Sequence, residues 1–156
     1  MNPLPLRPNV CMLIFNADHK LWLGERLGEP GIWQFPQGGV QSSVPLEENV
    51  YREIEEELGL KRPSVEIVRK LQATHEYEFQ RPPDYAKDKW RGQKQTFWLV
   101  RFLGSDAEID LNTHEAEFMN WKWCTPAEIR QFAEPKRLGG YEKPLQEFEA
   151  FLALGA

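Results

Sequence analysis

The stretch from Pro45 to Leu58 constrains this chain most, because it has no Gly or Pro after its start and its apolar residues, Leu46, Val50, Ile54 and Leu58, recur at every fourth position. That spacing lines one face of an α-helix with side chains that must be buried, and Gly59 stands where a left-handed C-cap would end it. The start is less sharply marked. Val44 is a poor N-cap, and Ser43 is a good one only if Pro45 takes the second helical position. A helix with one buried stripe needs a layer to lie on, and the rest of the chain supplies strand candidates for it.

Asn9 to Phe15 reads as a buried strand and Lys20 to Leu23 as its hairpin partner, with a turn at residues 16–19. Trp33 to Phe35 is a short third strand, followed by a turn at Pro36-Gln37-Gly38-Gly39 and a loop to about Ser43. Val65 to Phe79 holds one or two strands, and Gln95 to Phe102 a further one, separated by a polar loop from Arg81 to Lys94. A strand near Phe118 to Trp123 leads to Thr125-Pro126-Ala127-Glu128, with Thr as N-cap, Pro at the first helical position and Glu at the third. A last helix is expected from about Tyr141 to Leu152. The pattern is that of a mixed α/β (α+β) fold, one domain over residues 1–156, with a mixed sheet covered by helices.

The polar side of the first helix carries Glu53, Glu56 and Glu57 at i, i+3 and i+4, three carboxylates on one face within one turn. Carboxylates so close repel, each raises its neighbours' proton affinity, and a shared divalent cation relieves the repulsion. Mg²⁺ suits such a site: it takes oxygen ligands and is commonly held by one or two carboxylates plus a substrate's phosphates. Gly38 and Gly39 just before the helix add close backbone approach, and Arg52 is placed to orient a carboxylate by a bidentate bond. From composition alone, Glu47, Glu48, Glu53, Glu55, Glu56 and Glu57 read first as a solvated charged face, which is what most Glu-rich helices are.

The spacing separates these readings. Gly38 and the string Arg52-Glu53-Ile54-Glu55-Glu56-Glu57-Leu58-Gly59-Leu60 resemble the signature of the Nudix hydrolases, in which a Gly opens the box and an Arg-Glu-apolar-x-Glu-Glu-x-Gly-apolar string closes it fourteen residues later. One position departs: the family has Glu six residues after the opening Gly, and this chain has Val44, with Glu47 three residues on as a partial substitute. Arg7-Pro8-Asn9-Val10, the run from Trp33 to Gly39, Gly92-Gln93-Lys94-Gln95, and Glu117-Phe118 followed by Trp121-Lys122-Trp123 extend the resemblance to the bacterial RNA 5′-pyrophosphohydrolases and their relatives, the asymmetric diadenosine tetraphosphate (Ap4A) hydrolases.

The resemblance implies a Nudix fold, a mixed β-sheet sandwiched between α-helices. It implies two or more Mg²⁺ ions, with Mn²⁺ as the alternative, held by Glu53, Glu56, Glu57, the distant Glu117 and a backbone carbonyl near Gln37 or Gly38, with Arg52 in the catalytic group. The implied reaction is removal of pyrophosphate from the 5′-triphosphate end of RNA, by in-line attack of water on phosphorus while a Glu accepts its proton; which Glu is left open. The alternatives are cleavage of dinucleoside polyphosphates and, if Val44 marks a loss of activity, a catalytically impaired nucleotide-binding domain. Arg7, Arg26, Lys94, Gln95 and Lys136 are the candidates for phosphate or nucleoside contact. The loop carrying Arg81, Lys87, Lys89, Arg91 and Lys94 is expected to border the cleft, with Trp90 as the tryptophan nearest substrate and Trp22, Trp98, Trp121 and Trp123 in packed strands.

Composition sets the outer limits. A net charge of -5 argues against non-specific binding to DNA or other nucleic acid through clustered Lys and Arg, yet suits a site that binds phosphates through carboxylate-held metal ions. The charged fraction of 28% leaves no apolar run for a bilayer, and the amino-terminal MNPLPLRPNV does not read as a secretory signal, so a cytoplasmic location without membrane contact is expected. Cys11 and Cys124 have neither metal-ligand nor redox-motif spacing and are expected to fill core space without a disulfide. The expected partner is an RNA 5′ end or a nucleoside polyphosphate; a homodimer is left open.

Overall fold

The computed structural model describes residues 3–155. Its centre is a mixed sheet built on two long parallel strands, β1 (Leu6–Phe15) and β6 (Gly92–Phe102), which pair from Leu6 with Gly92 to Phe15 with Arg101. β2 (Leu21–Arg26) and β3 (Trp33–Gln34) extend it on one side and β5 (Val65–Glu78) on the other, in the order β3-β2-β1-β6-β5. β7 (Phe118–Cys124) adds to β2, and β4 (Gln37–Gly39) pairs with β1.

Both faces of the central strands are covered, which is why NVCMLIF is apolar without alternation. Cys11, Leu13 and Phe15 of β1 pack with Phe97, Leu99, Tyr141, Leu145 and Phe148 under α2 (Pro126–Phe132) and α3 (Pro135–Ala153). Val10, Met12 and Ile14 turn to the other face and meet Val50, Ile54 and Leu58 of α1 (Leu46–Leu58). The four-residue apolar period of α1 is thus its contact with the sheet. No helix among the described residues is long and apolar enough to cross a membrane.

Several elements differ from the sequence expectations for identifiable reasons. Pro45, not Ser43, occupies the N-cap of α1, and no side chain caps it. Buried Asn49 ties that end down instead: its Nδ2 donates to the carbonyls of Pro45, Val44 and Gln41 at 3.0, 3.3 and 3.2 Å, and its Oδ1 accepts from the Gln41 amide at 2.8 Å. Residues 37–39, expected as a turn, form a short antiparallel strand with Cys11 opposite Gln37 and Asn9 opposite Gly39. The last helix begins at Pro135, not near Tyr141, and runs through Gly139, Gly140 and Pro144. A proline there removes a helix hydrogen bond, but burial of Tyr141, Pro144, Leu145 and Phe148 holds the helix together. At the end of α1, Gly59 adopts φ 70°, the left-handed C-cap its position calls for.

Candidate active site

The strand face that packs the apolar core changes character toward the amino-terminal ends of β1 and β6. Arg7 and Asn9 replace Cys11 and Leu13, and Gln93 and Gln95 replace Phe97 and Leu99, so a polar floor opens beyond the core. That floor, the β4 segment, the α1 carboxylates and the start of α3 enclose a cleft of about 1200 Å³. The volume exceeds the usual upper limit of roughly 1,000 Å³ for small-molecule pockets, which leaves room for more than one nucleotide unit.

β4 is the hinge between floor and helix. A Cβ on Gly38 would overlap the Glu53 carboxylate, and one on Gly39 would overlap the Arg7 guanidinium, so the paired glycines let an acid and a base lie directly on the backbone. Arg52 reaches across the same strand. Its Nη1 donates to Glu53 Oε1 at 2.9 Å and to Glu56 Oε2 at 3.3 Å, and its Nη2 donates to the Gly39 carbonyl at 3.1 Å and to Asn49 Oδ1 at 2.8 Å. A second network fixes the floor: Gln95 Nε2 donates to Gln37 Oε1 at 2.7 Å and to Asn9 Oδ1 at 3.1 Å.

The carboxylates are strongly perturbed. Burial pushes Glu53 up to about 7, opposed by the Arg52 charge and reinforced by Glu56 and Glu117. Glu57 is raised well above its ordinary value by burial first, then by Glu53 and Glu117, with a hydrogen bond from the Gln37 backbone working the other way. Glu57 Oε2 is buried and has no hydrogen-bond partner among the described residues. An unsatisfied carboxylate oxygen amid other carboxylates is the donor set a hard cation completes. Arg52 is bonded to Glu53 and Glu56, and Glu57 accepts from the backbone of β4.

The other positions singled out in the sequence divide into two groups. Arg7, Arg26, Gln95 and Lys136 line the cleft with Gln37, Gly38, Arg52, Glu53, Glu56, Glu57 and Glu117. Arg26 is tied to Glu29 at 2.7 Å and to Gln34 at 3.1 Å, and Arg7 lies 4.4 Å from the centre of the Tyr85 ring. Lys94 stands outside the lining, exposed on the opposite face of β6 from Gln93 and Gln95. The segment after β5 does border the cleft, but through Phe79, Gln80, Pro83 and Tyr85; Arg81, Lys87, Lys89, Trp90 and Arg91 are absent from the lining, and Arg91 is turned to the Leu4 carbonyl and Glu78. Glu47 is exposed on the first turn of α1, away from the lining residues. Val44 is 36% exposed and outside the cleft as well. Sequence reasoning missed Asn49, Gln93, Tyr77 and Arg137, whose surroundings follow from how the loop before α1, the strands and α3 fold together.

Comparison with known proteins gives the arrangement its relatives. Residues 5–147 match the NUDIX domain. An RNA pyrophosphohydrolase of Caulobacter vibrioides is 38% identical over 153 residues, covering 93% of this chain and 87% of the relative. That of Zymomonas mobilis is 35% identical over 157 residues, covering 97% of this chain and 100% of the relative. Among solved structures, a binary complex of a C. elegans Ap4A hydrolase aligns with a TM-score of 0.71 and 22% identity over 95% of this chain and 98% of that one, a likeness of fold. With the NUDIX domain matched over residues 5–147 and relatives at 38% and 35% identity over nearly its whole length, the chain belongs to the Nudix hydrolase family.

Proposed function

We propose that this protein is a Mg²⁺-dependent RNA 5′-pyrophosphohydrolase acting in the cytoplasm, releasing pyrophosphate from a 5′-triphosphate end and leaving a 5′-monophosphate. The observation that carries the reading is the buried, unpartnered Glu57 Oε2 beside Glu53 at the acidic end of a cleft whose other lining includes Arg7, Arg26, Lys136 and Arg137. A polyphosphate matches both ends of such a charge distribution. The RNA pyrophosphohydrolases at 38% and 35% identity support the choice of RNA.

Glu53, Glu56, Glu57 and Glu117, with the backbone near Gln37 and Gly38, would hold the Mg²⁺, which when bound neutralises phosphate charge and lowers the pKa of water. The chain's own contribution is positional. Arg52 orients Glu53, and the Gln37 amide fixes one oxygen of Glu57 so that the other points free. A Glu of this set would accept a proton from an attacking water.

Dinucleoside polyphosphates such as Ap4A are the second reading, and one observation favours them: the cations of residues 81–91 do not line the cleft, so the phosphates of an RNA chain beyond its first nucleotide gain no contact there. The deciding experiment compares kcat/KM for a short 5′-triphosphorylated RNA and for Ap4A in Mg²⁺. A higher value for RNA is expected. A preference for Ap4A at every salt concentration moves the assignment to that substrate, and no Mg²⁺-dependent release from any nucleotide would identify an impaired binding domain.

A further inference from the structure

The first turn of α3 carries a cation of the cleft lining to which no individual role has been assigned so far. Arg137 has a side chain only 17% exposed, and its Nε donates to Glu134 Oε2 at 2.9 Å. Its Nη1 and Nη2 have no acceptor among the described residues, although the residue lines the cleft. The neighbouring Lys136 pairs with the other Glu134 oxygen at 3.2 Å, so one carboxylate is shared by two cations and the corner stays positive. Arg137 and Glu57 line the same cleft, with Tyr77 and Tyr141 also in its lining.

The Nε bond to Glu134 orients the guanidinium and leaves Nη1 and Nη2 open to the cleft, and its planar donors match two oxygens of a phosphate. We propose that Arg137 is a phosphate-recognising residue whose Nη1 and Nη2 bind oxygens of the substrate's polyphosphate group in the cleft that Glu53 and Glu57 also line. Glu134 is its positioning residue: bonded to Nε, it aims the fork into the cleft. The inference rests on the proposed function only for the molecule that carries the polyphosphate. The recognition itself is for a chain of phosphates, whichever nucleotide bears it.

The test uses inorganic pyrophosphate as a probe that needs no nucleoside. Its affinity for the intact Mg²⁺-loaded protein is measured by calorimetry for the wild type, Arg137→Gln and Arg137→Lys, beside kcat and KM for triphosphorylated RNA and a thermal melt of each variant. Arg137→Gln is expected to weaken pyrophosphate binding roughly ten- to a hundredfold, as for loss of hydrogen bonds to a charged group, and to raise KM more than it lowers kcat. Arg137→Lys, which keeps the charge but not the fork, should recover part of that loss. A folded Arg137→Gln variant that binds pyrophosphate like the wild type overturns the proposal. Should Arg137→Gln fail to fold, unchanged affinity in Arg137→Lys overturns the bidentate contact. If RNA is not a substrate of the wild type but the pyrophosphate affinity still falls in Arg137→Gln, the phosphate site stands and the RNA reading falls.

Discussion

Glu53→Gln should make the metal-free protein more stable at alkaline pH while crippling it as an enzyme. Glu53 is 8% exposed, and burial is the main reason its proton affinity rises from an ordinary value near 4.5 to about 7. A folded-state pKa raised above the unfolded one gives stability that is complete below the unfolded value and is lost as pH rises through the folded value. The span from 4.5 to about 7, at ~1.4 kcal/mol per pH unit, corresponds to roughly 3 kcal/mol lost between about pH 5 and pH 8. Glu57 is displaced in the same direction and adds to the loss in the same sense. Glutamine at position 53 cannot ionise. In EDTA at pH 8 the variant should therefore melt above the wild type, by roughly 6 to 12 °C if the whole term is recovered in a chain of this length. Near pH 5 the two should coincide. Differential scanning calorimetry from pH 5 to 8 reads the difference directly. A variant less stable than the wild type at pH 8, or an advantage that does not change with pH, would refute the reasoning. Saturating Mg²⁺ should reverse the order, since a cation that binds only the folded, ionised site stabilises the wild type.

Three further outcomes are expected. Glu57→Gln should lower kcat by orders of magnitude with no loss of fold by circular dichroism, because removing a metal ligand forfeits several kcal/mol of transition-state stabilisation; near-normal turnover in it and in Glu53→Gln would remove the site assignment. Val44→Glu should leave turnover within about tenfold, a barrier change of ~1.4 kcal/mol or less, because Val44 lies outside the cleft lining; a several-hundredfold gain would mean that the natural chain is an impaired enzyme. Charge reversal at Lys87 and Lys89 should leave the ratio of kcat/KM for RNA to that for Ap4A within about threefold at low salt, because neither side chain lines the cleft, and a selective loss of RNA hydrolysis would show that the phosphates past the first nucleotide run over that loop.

The sequence made legible whatever is determined within a few residues. The four-residue period of Leu46, Val50, Ile54 and Leu58 is a local property, and so are the carboxylates it places on the other side of the helix. Thr125 is another such case: its hydroxyl accepts from the Glu128 amide at 3.2 Å and the Glu128 carboxylate accepts from the Thr125 amide at 2.9 Å, a capping box readable from four letters. The start of α3 was illegible because Gly139, Gly140 and Pro144 argue locally against a helix, and only the burial of Tyr141, Leu145 and Phe148 outweighs them. Asn49 was illegible for a related reason. A buried Asn inside a helix is unfavourable by propensity, and its value lies in the four bonds it makes to a loop folded back on it.

Lys94 and Gln95 show what more could have been drawn from the letters. Adjacent residues of a strand point to opposite faces, so the two cannot both reach one cleft. The expected strand began at Gln95, which left Lys94 in a loop and free of that constraint. In the structure β6 begins at Gly92, so the alternation already operates at Lys94, with Gln93 and Gln95 buried toward the floor and Lys94 exposed on the other side. Parallel pairing with β1 extends the same parity across the sheet: Arg7 lies beside Gln93 and Asn9 beside Gln95, all four on the cleft side, while Pro8 lies beside Lys94. β5 continues it, placing Tyr77 beside Gln93 and His75 beside Gln95 in the lining, and Glu76 beside Lys94 outside it. The polar floor is thus a consequence of register: Arg7, Asn9, Gln93, Gln95, His75 and Tyr77 share the cleft side at one end of three strands, and the same side farther along, at Cys11, Leu13, Phe97 and Leu99, is packed in the core.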